Sequence, residues 1–113
     1  SRNVWRDTPR AFSQDPQALC LAQEFVRTGQ DPALTPAQRA FAYMPYMHSE
    51  SRLIHEQAVA LFSQPGLEGS LAFERRHQAI IERFGRYPHR NAILGRVSTP
   101  EEIAFLAEPG SSF

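Results

Sequence analysis

Between Phe84 and Arg96 the chain runs Phe-Gly-Arg-Tyr-Pro-His-Arg-Asn-Ala-Ile-Leu-Gly-Arg, setting Arg86, His89, Arg90, Asn91 and Arg96 among two glycines and a proline. A planar, permanently charged guanidinium beside a glycine-set turn suits either an anion site or a buried polar network. Gly85 is placed to end one helix and Pro88 to start a short turn, so amides near His89, Arg90 and Asn91 would open beside Arg86 and Arg90. A carboxylate or phosphate fits such a place. The structural alternative has Arg86 and Arg90 reaching back to helix C-terminal carbonyls or to acids such as Glu82, with Asn91 capping the turn.

Four histidines, His48, His55, His77 and His89, with Glu50 and Glu56 nearby, form a second constellation. As a metal site it lacks the familiar spacings. Val59 stands where the second histidine of a His-Glu-x-x-His helix would follow His55-Glu56. His48-Ser49-Glu50 matches the start of a zinc deaminase signature, but no Pro-Cys-x-x-Cys follows. No metal and no cofactor is therefore expected. As acid-base machinery, His48 with Glu50, or His77 with Glu74, would poise a base near neutral pH, although residues two apart on a helix do not face each other. The alternative makes His48 and His77 core histidines, each satisfied by a carboxylate or carbonyl, with Glu50 and Glu74 as the nearest partners in sequence. Cys20, flanked by Leu19 and Leu21, reads as a packed, inert thiol. No Gly-x-Ser-x-Gly elbow, P-loop or Gly-x-Gly-x-x-Gly is present.

The elements that must carry these residues read as helices. Asp15-Pro16 starts a helix over 16–28 that Gly29 stops, with Ala18, Leu21, Ala22 and Phe25 as its apolar stripe. Thr35-Pro36 starts a second, in which Ala37, Ala40, Phe41, Met44, Met47 and His48 share a face, and Pro45 predicts a kink or break near Met44. Ser49 is placed to cap a third helix reaching Phe62, with Ile54, Ala58, Leu61 and Phe62 inward and a turn at Gln64-Pro65-Gly66. A fourth covers 68–84, facing inward with Phe73, His77, Ile80, Ile81 and Phe84 and closed by Gly85. Thr99-Pro100-Glu101-Glu102 starts a fifth, ahead of Ile103, Phe105 and Leu106. No stretch alternates with period two, so the expected class is all-α. Pairs of helix starts recur at about 34 residues, the tetratricopeptide period, which predicts a stack of antiparallel helical hairpins without the consensus residues.

A length of 113 residues is one domain, large enough to bury a core without disulfides or metal. All twelve basic residues are arginine and twelve acids balance them, so the large positive excess that drives nonspecific nucleic-acid binding is missing. No apolar run reaches membrane-spanning length, and a single cysteine forms no internal disulfide. A reducing, cytoplasmic setting with neither nucleic acid nor membrane as partner is the expectation.

With those blocks in view, the chain resembles the bacterial domain of unknown function 924 family. The similarity rests on Arg2-Asn3 with Arg6 and Thr8-Pro9-Arg10-Ala11-Phe12, Tyr46-Met47-His48-Ser49-Glu50, Arg75-Arg76-His77, the Phe84 to Arg96 segment, Ser98-Thr99-Pro100-Glu101-Glu102 and Pro109-Gly110-Ser111-Ser112-Phe113. The resemblance implies a tetratricopeptide-like all-α fold and no particular activity. It also implies further N-terminal helices that this chain lacks, and so self-association through the apolar rim left without them. The first functional expectation is a binding or scaffold module in which Arg2, Asn3, His48, Glu50, Arg76, His77, Arg86, His89, Arg90 and Asn91 gather on one concave surface for a small anion or an acidic peptide end. The second is a hydrolase or metal-assisted enzyme using His48, Glu50, His77 and His89, which requires those side chains to converge.

Overall fold

The hydroxyl of Thr35 accepts the Gln38 amide while the Gln38 side chain accepts the Thr35 amide, a reciprocal cap placed directly ahead of Pro36. Thr99 and Glu102 make the same box ahead of Pro100. These two starts, and the left-handed Gly85 (φ 73°) that ends the longest helix, fix the frame. The computed structural model describes residues 15–112. Helices α1 (Asp15–Arg27), α2 (Pro36–Met47), α3 (Arg52–Phe62), α4 (Glu68–Phe84), α5 (Asn91–Leu94) and α6 (Pro100–Leu106) follow in order, with 3-10 turns at Asp31–Ala33 and Pro88–Arg90. No strand occurs among the described residues, and the fold is all-α.

Consecutive helices pack: α1 on α2, α2 on α3 and α3 on α4, with α2 also touching α4. That is how helical hairpins stack. The spacing is uneven, because the first members start at Asp15 and Arg52 and the second at Pro36 and Glu68, so the repeat is looser than the sequence period. The extra helix, α5, is a single turn that follows the short turn expected to begin at Pro88.

One core cluster joins Ala22, Tyr43, Tyr46, Met47, Ala58, Phe62 and Leu67, with Leu19, Val26, Ala40, Met44, Ile54, Leu61 and Leu71 packed against it. A second joins Ile80, Ile81 and Tyr87, covered by Phe84 and Phe105. Phe62 is fully buried, and truncating such a residue to alanine costs about 3–5 kcal/mol.

Several inward faces are rotated from those expected. Leu21, Phe41, Phe73 and Ile103 are exposed, with Phe41 at 81 %. In α2 the reason is polar: Tyr43 turns inward because its hydroxyl reaches Asp31 (2.5 Å) and receives Gln64 (3.1 Å), so a large ring is buried with its polar end satisfied. In α4, Glu74 rather than Phe73 points in, because His55 receives it. Pro45 does not break α2, which continues to Met47 and closes with the His48 amide on the Met44 carbonyl. The carbonyl that loses its partner to Pro45 belongs to Phe41, an exposed residue on the solvent side. The cap of α3 is Ser51, which accepts the Ile54 amide, not Ser49, whose hydroxyl accepts the Ser51 amide two residues earlier. Cys20 lies exposed on α1 and is not the packed thiol expected.

Candidate functional site

A cleft of about 340 Å³ opens where the end of α2, the first half of α4 and the Pro88–Arg90 turn meet. Met44, Met47 and Phe73 supply apolar walls; His48, Ser70, His77, His89 and Arg90 supply the polar groups. Each is brought there by a local rule. His48 is the C-cap of α2. Ser70, Phe73 and His77 follow one face of α4 at spacings of three and four. His89 and Arg90 belong to the 3-10 turn that Pro88 begins after Gly85.

His77 is a buried imidazole whose Nδ1 lies 2.7 Å from the Phe73 carbonyl one turn earlier. A carbonyl only accepts, so Nδ1 carries hydrogen. Burial holds the His77 pKa below its ordinary value; the Phe73 carbonyl opposes the shift and the positive charge of Arg90 adds to it. Arg90 is itself buried, donates to the His48 carbonyl at 3.0 Å, stacks 4.7 Å over the Tyr87 ring and lies 3.8 Å from the Asp15 carboxylate. It thereby fastens the turn to the end of α2.

Behind the cleft runs a buried relay. His77 meets the Tyr87 ring nearly perpendicular and His89 lies tilted against it, with centroids 5.7 and 5.9 Å away. Tyr87 donates to the Met47 carbonyl (2.5 Å) and meets His55 Nε2 at 2.9 Å. His55 Nε2 also lies 2.6 Å from the Ser49 carbonyl, so Nε2 bears hydrogen and Tyr87 is the acceptor of that contact. On the other side of the ring, Nδ1 and Glu74 Oε2 are 2.7 Å apart and share one proton. Glu74 is fully buried and its Oε1 has no hydrogen-bond partner. A bare carboxylate oxygen in a dry core costs far more than a neutral carbonyl oxygen, which favours the proton on Glu74. Burial indeed raises the Glu74 pKa, against the hydrogen bond from His55, and pushes the Tyr87 phenol well above its usual range.

The remaining polar residues lock the segment 85–102. Glu50, in the α2–α3 connection, accepts the Tyr87 amide (2.6 Å) and both terminal nitrogens of Arg96 (3.0 and 3.1 Å). Arg96 also donates to the Asn91 side chain and the Tyr87 carbonyl, while Asn91 donates to Ser98. Burial works against the Glu50 charge, yet Arg96 and the Tyr87 amide outweigh it and the pKa is lowered. Arg86 forms a two-point pair with Glu102 (2.9 and 2.7 Å) and donates to the Val97 carbonyl. The Arg86 bonds, with burial opposing and the Thr99 amide helping, hold Glu102 at about 2.

A family model for "Bacterial protein of unknown function (DUF924)" matches residues 1–110. The chain belongs to that family. The solved structure of a protein of unknown function from Agrobacterium tumefaciens is similar, at 37 % identity and a TM-score of 0.80, over 90 % of this chain and 57 % of that one. This DUF924 chain thus spans little more than half of that relative's length. No curated protein matches.

Of the site residues expected from sequence, this DUF924 chain brings His48, His77, His89 and Arg90 together on the cleft. Exposed Arg76 lies 5.6 Å over the Phe73 ring, beside the cleft wall. Glu50, Arg86 and Asn91 do not join them; Arg96, Glu102 and Ser98 take them up instead. Arg2 and Asn3 lie outside the described residues. Glu50 is the carboxylate an acid-base mechanism with His48, His77 and His89 would need, and it is committed to Arg96. Among the described residues no group of three or more His, Cys, Asp or Glu is arranged to hold a metal ion. Sequence reasoning passed over Ser70, Glu74 as the partner of His55, and Tyr87. His55 at i+4 from Ser51 and three before Ala58 falls on the inward stripe of α3, and that spacing was the signal for a buried histidine in need of an acid.

Proposed function

We propose that this chain is a binding module whose cleft takes one small molecule with an apolar body and an anionic head. The observation that carries the reading is the meeting of His48, His77, His89 and Arg90 in a mainly apolar cleft of about 340 Å³. Small-ligand sites combine apolar walls with a few convergent polar groups and start near 300 Å³. Met44, Met47 and Phe73 match a hydrocarbon or aromatic body. Imidazole and guanidinium donors match a carboxylate head. A peptide carboxyl terminus shares that head chemistry, but the cleft accommodates little more than its last side chain. No nucleic-acid partner belongs to the reading, given the net charge of zero.

The test is calorimetric and thermal titration with octanoate, octanol and a short acidic peptide against the wild type and Ser70→Phe, which fills the cleft from a half-buried position. Octanoate is expected to raise the melting temperature of the wild type more than octanol or the peptide, and to lose that effect in Ser70→Phe. Phe73→Ala, which removes an exposed wall without touching the core, is expected to weaken octanoate several-fold. Equal stabilisation of wild type and both variants, or none, overturns the reading.

A further inference from the structure

The stripe Ala37, Ala40, Phe41 and Met44 of α2 is only partly covered. Met44 lines the cleft, whereas Phe41, one turn before it, is the most exposed aromatic side chain of the helix, and Ala37 is exposed as well. Resting on the binding reading above, we infer that the hydrocarbon body of the ligand continues out of the cleft along this strip, so that the ligand class is a long-chain carboxylate such as dodecanoate rather than a short one.

Two helices make the track. At one end Pro36 lies against Gly66, just before α4, and at the other Met47 and His48 line the cleft with His77. The two helices, which touch, therefore run side by side in one direction, and the first turns of α2 come level with the first turn of α4. Ala37, Ala40 and Phe41 belong to one side, Gly69, Ser70 and Phe73 to the other, and none of the six carries a charge. Phe41 and Phe73 are both large and exposed, while a Cβ added at Gly69 would meet nothing within 4 Å. Two exposed rings rising from small residues leave a shallow apolar channel that opens into the cleft and stops where Pro36 meets Gly66.

A channel with polar groups at one end only suits a chain with one polar head. Between Ala37 and His48 the helix rises about 16 Å. That is close to the reach of an extended dodecanoate, whereas octanoate ends part-way along. A docked helix fits less well, because the turn that carries His89 and Arg90 stands across the polar end. Taking a methylene fully out of water strengthens binding about fourfold, and covering only one side of it about twofold. The four methylenes that separate octanoate from dodecanoate therefore amount to about tenfold or more on an open track.

The experiment is calorimetric titration with octanoate, decanoate and dodecanoate, each below the concentration at which it forms micelles, on the wild type, Phe41→Glu, Phe41→Leu and Leu53→Glu. All three substitutions fall on exposed side chains, Phe41 on the track and Leu53 on α3, outside the α2–α4 pair. Affinity is expected to rise with each added pair of methylenes in the wild type and in Leu53→Glu, by about tenfold or more in all. Phe41→Glu is expected to lose most of that rise and Phe41→Leu to keep most of it. Equal affinities for the three chains, a rise that survives in Phe41→Glu, or one lost equally in Leu53→Glu overturns this inference and leaves the binding reading standing. A wild type that sediments as a dimer and becomes monomeric in Phe41→Glu assigns the strip to a second copy and overturns it too. No binding at any chain length overturns both.

Discussion

Glu50 and Arg96 face each other across 46 residues of chain, and the carboxylate takes both guanidinium nitrogens at 3.0 and 3.1 Å while also receiving the Tyr87 amide. The pair ties the α2–α3 connection to the segment that carries His89 and Arg90, a bond that lies outside the cleft those residues line. Each side chain is about a quarter exposed, which tempers its strength.

Substituting Glu50→Gln or Arg96→Ala is expected to lower stability by about 1–3 kcal/mol, because the partner left behind stays half-buried. The double variant should lose less than the sum, since the second change removes a group already orphaned. Urea unfolding of the four proteins measures the coupling. Arg96→Lys should recover little, as an ammonium cannot span both carboxylate oxygens. Strict additivity would refute the clasp.

In the buried relay, the argument that Glu74 carries the shared proton predicts unequal substitutions. Glu74→Gln keeps a donor facing His55 Nδ1 and leaves Oε1 as a neutral oxygen, so it should cost under about 1 kcal/mol. His55→Leu strands Glu74 and the Ser49 carbonyl together and should cost about 3 kcal/mol or more. Tyr87→Phe should fall between. A severe Glu74→Gln, measured by thermal and urea unfolding, would place the charge on the carboxylate instead.

Acid stability isolates Glu102. Its folded pKa lies at about 2 against an unfolded 4.5, a depressed carboxyl, so its contribution is complete above 4.5 and drains away as pH falls toward 2. Glu50, also lowered, adds loss in the same direction. Stability of the wild type should therefore drop between pH 5 and 2, and Glu102→Gln should be less stable at pH 7 yet show a shallower acid slope. Parallel slopes would assign the acid loss elsewhere.

Gly85 has φ 73°, and a Cβ there would meet only Arg52 at 3.6 Å, an ordinary contact. Gly85→Ala should thus cost about 1–2 kcal/mol from left-handed backbone alone. Octanoate affinity should fall little if the turn reseats correctly. A much larger loss of stability would mean that the α4 cap also orders the Pro88–Arg90 turn.

How much was legible in the sequence varies by residue. Thr35-Pro36, Thr99-Pro100 and Gly85 fixed helix ends that the structure reproduces, because caps act within three or four residues. The end of α4 at Phe84 was readable from Gly85, and its start at Glu68, which has no side-chain cap, from the Gln64-Pro65-Gly66 turn before it. Inward faces were less so. Phe73 outranks Glu74 on any hydrophobic count, yet Glu74 is buried, since His55 lies nineteen residues away in sequence and only the packing of α3 on α4 brings it near. The arginines divide likewise: Arg86 and Arg96 found acids, and Arg90 found the end of α2, by contacts 16, 46 and 42 residues long.

The sequence by itself therefore determined an all-α chain, several of its helix ends, its family likeness and the presence of a polar segment after α4. Only the tertiary structure decided which polar residues share a cleft and which are spent on holding it. Local signals are short-range interactions written in adjacent residues, whereas the choice of partner for a guanidinium, an imidazole or a buried carboxyl depends on desolvation and distance, and both exist only once the helices have packed.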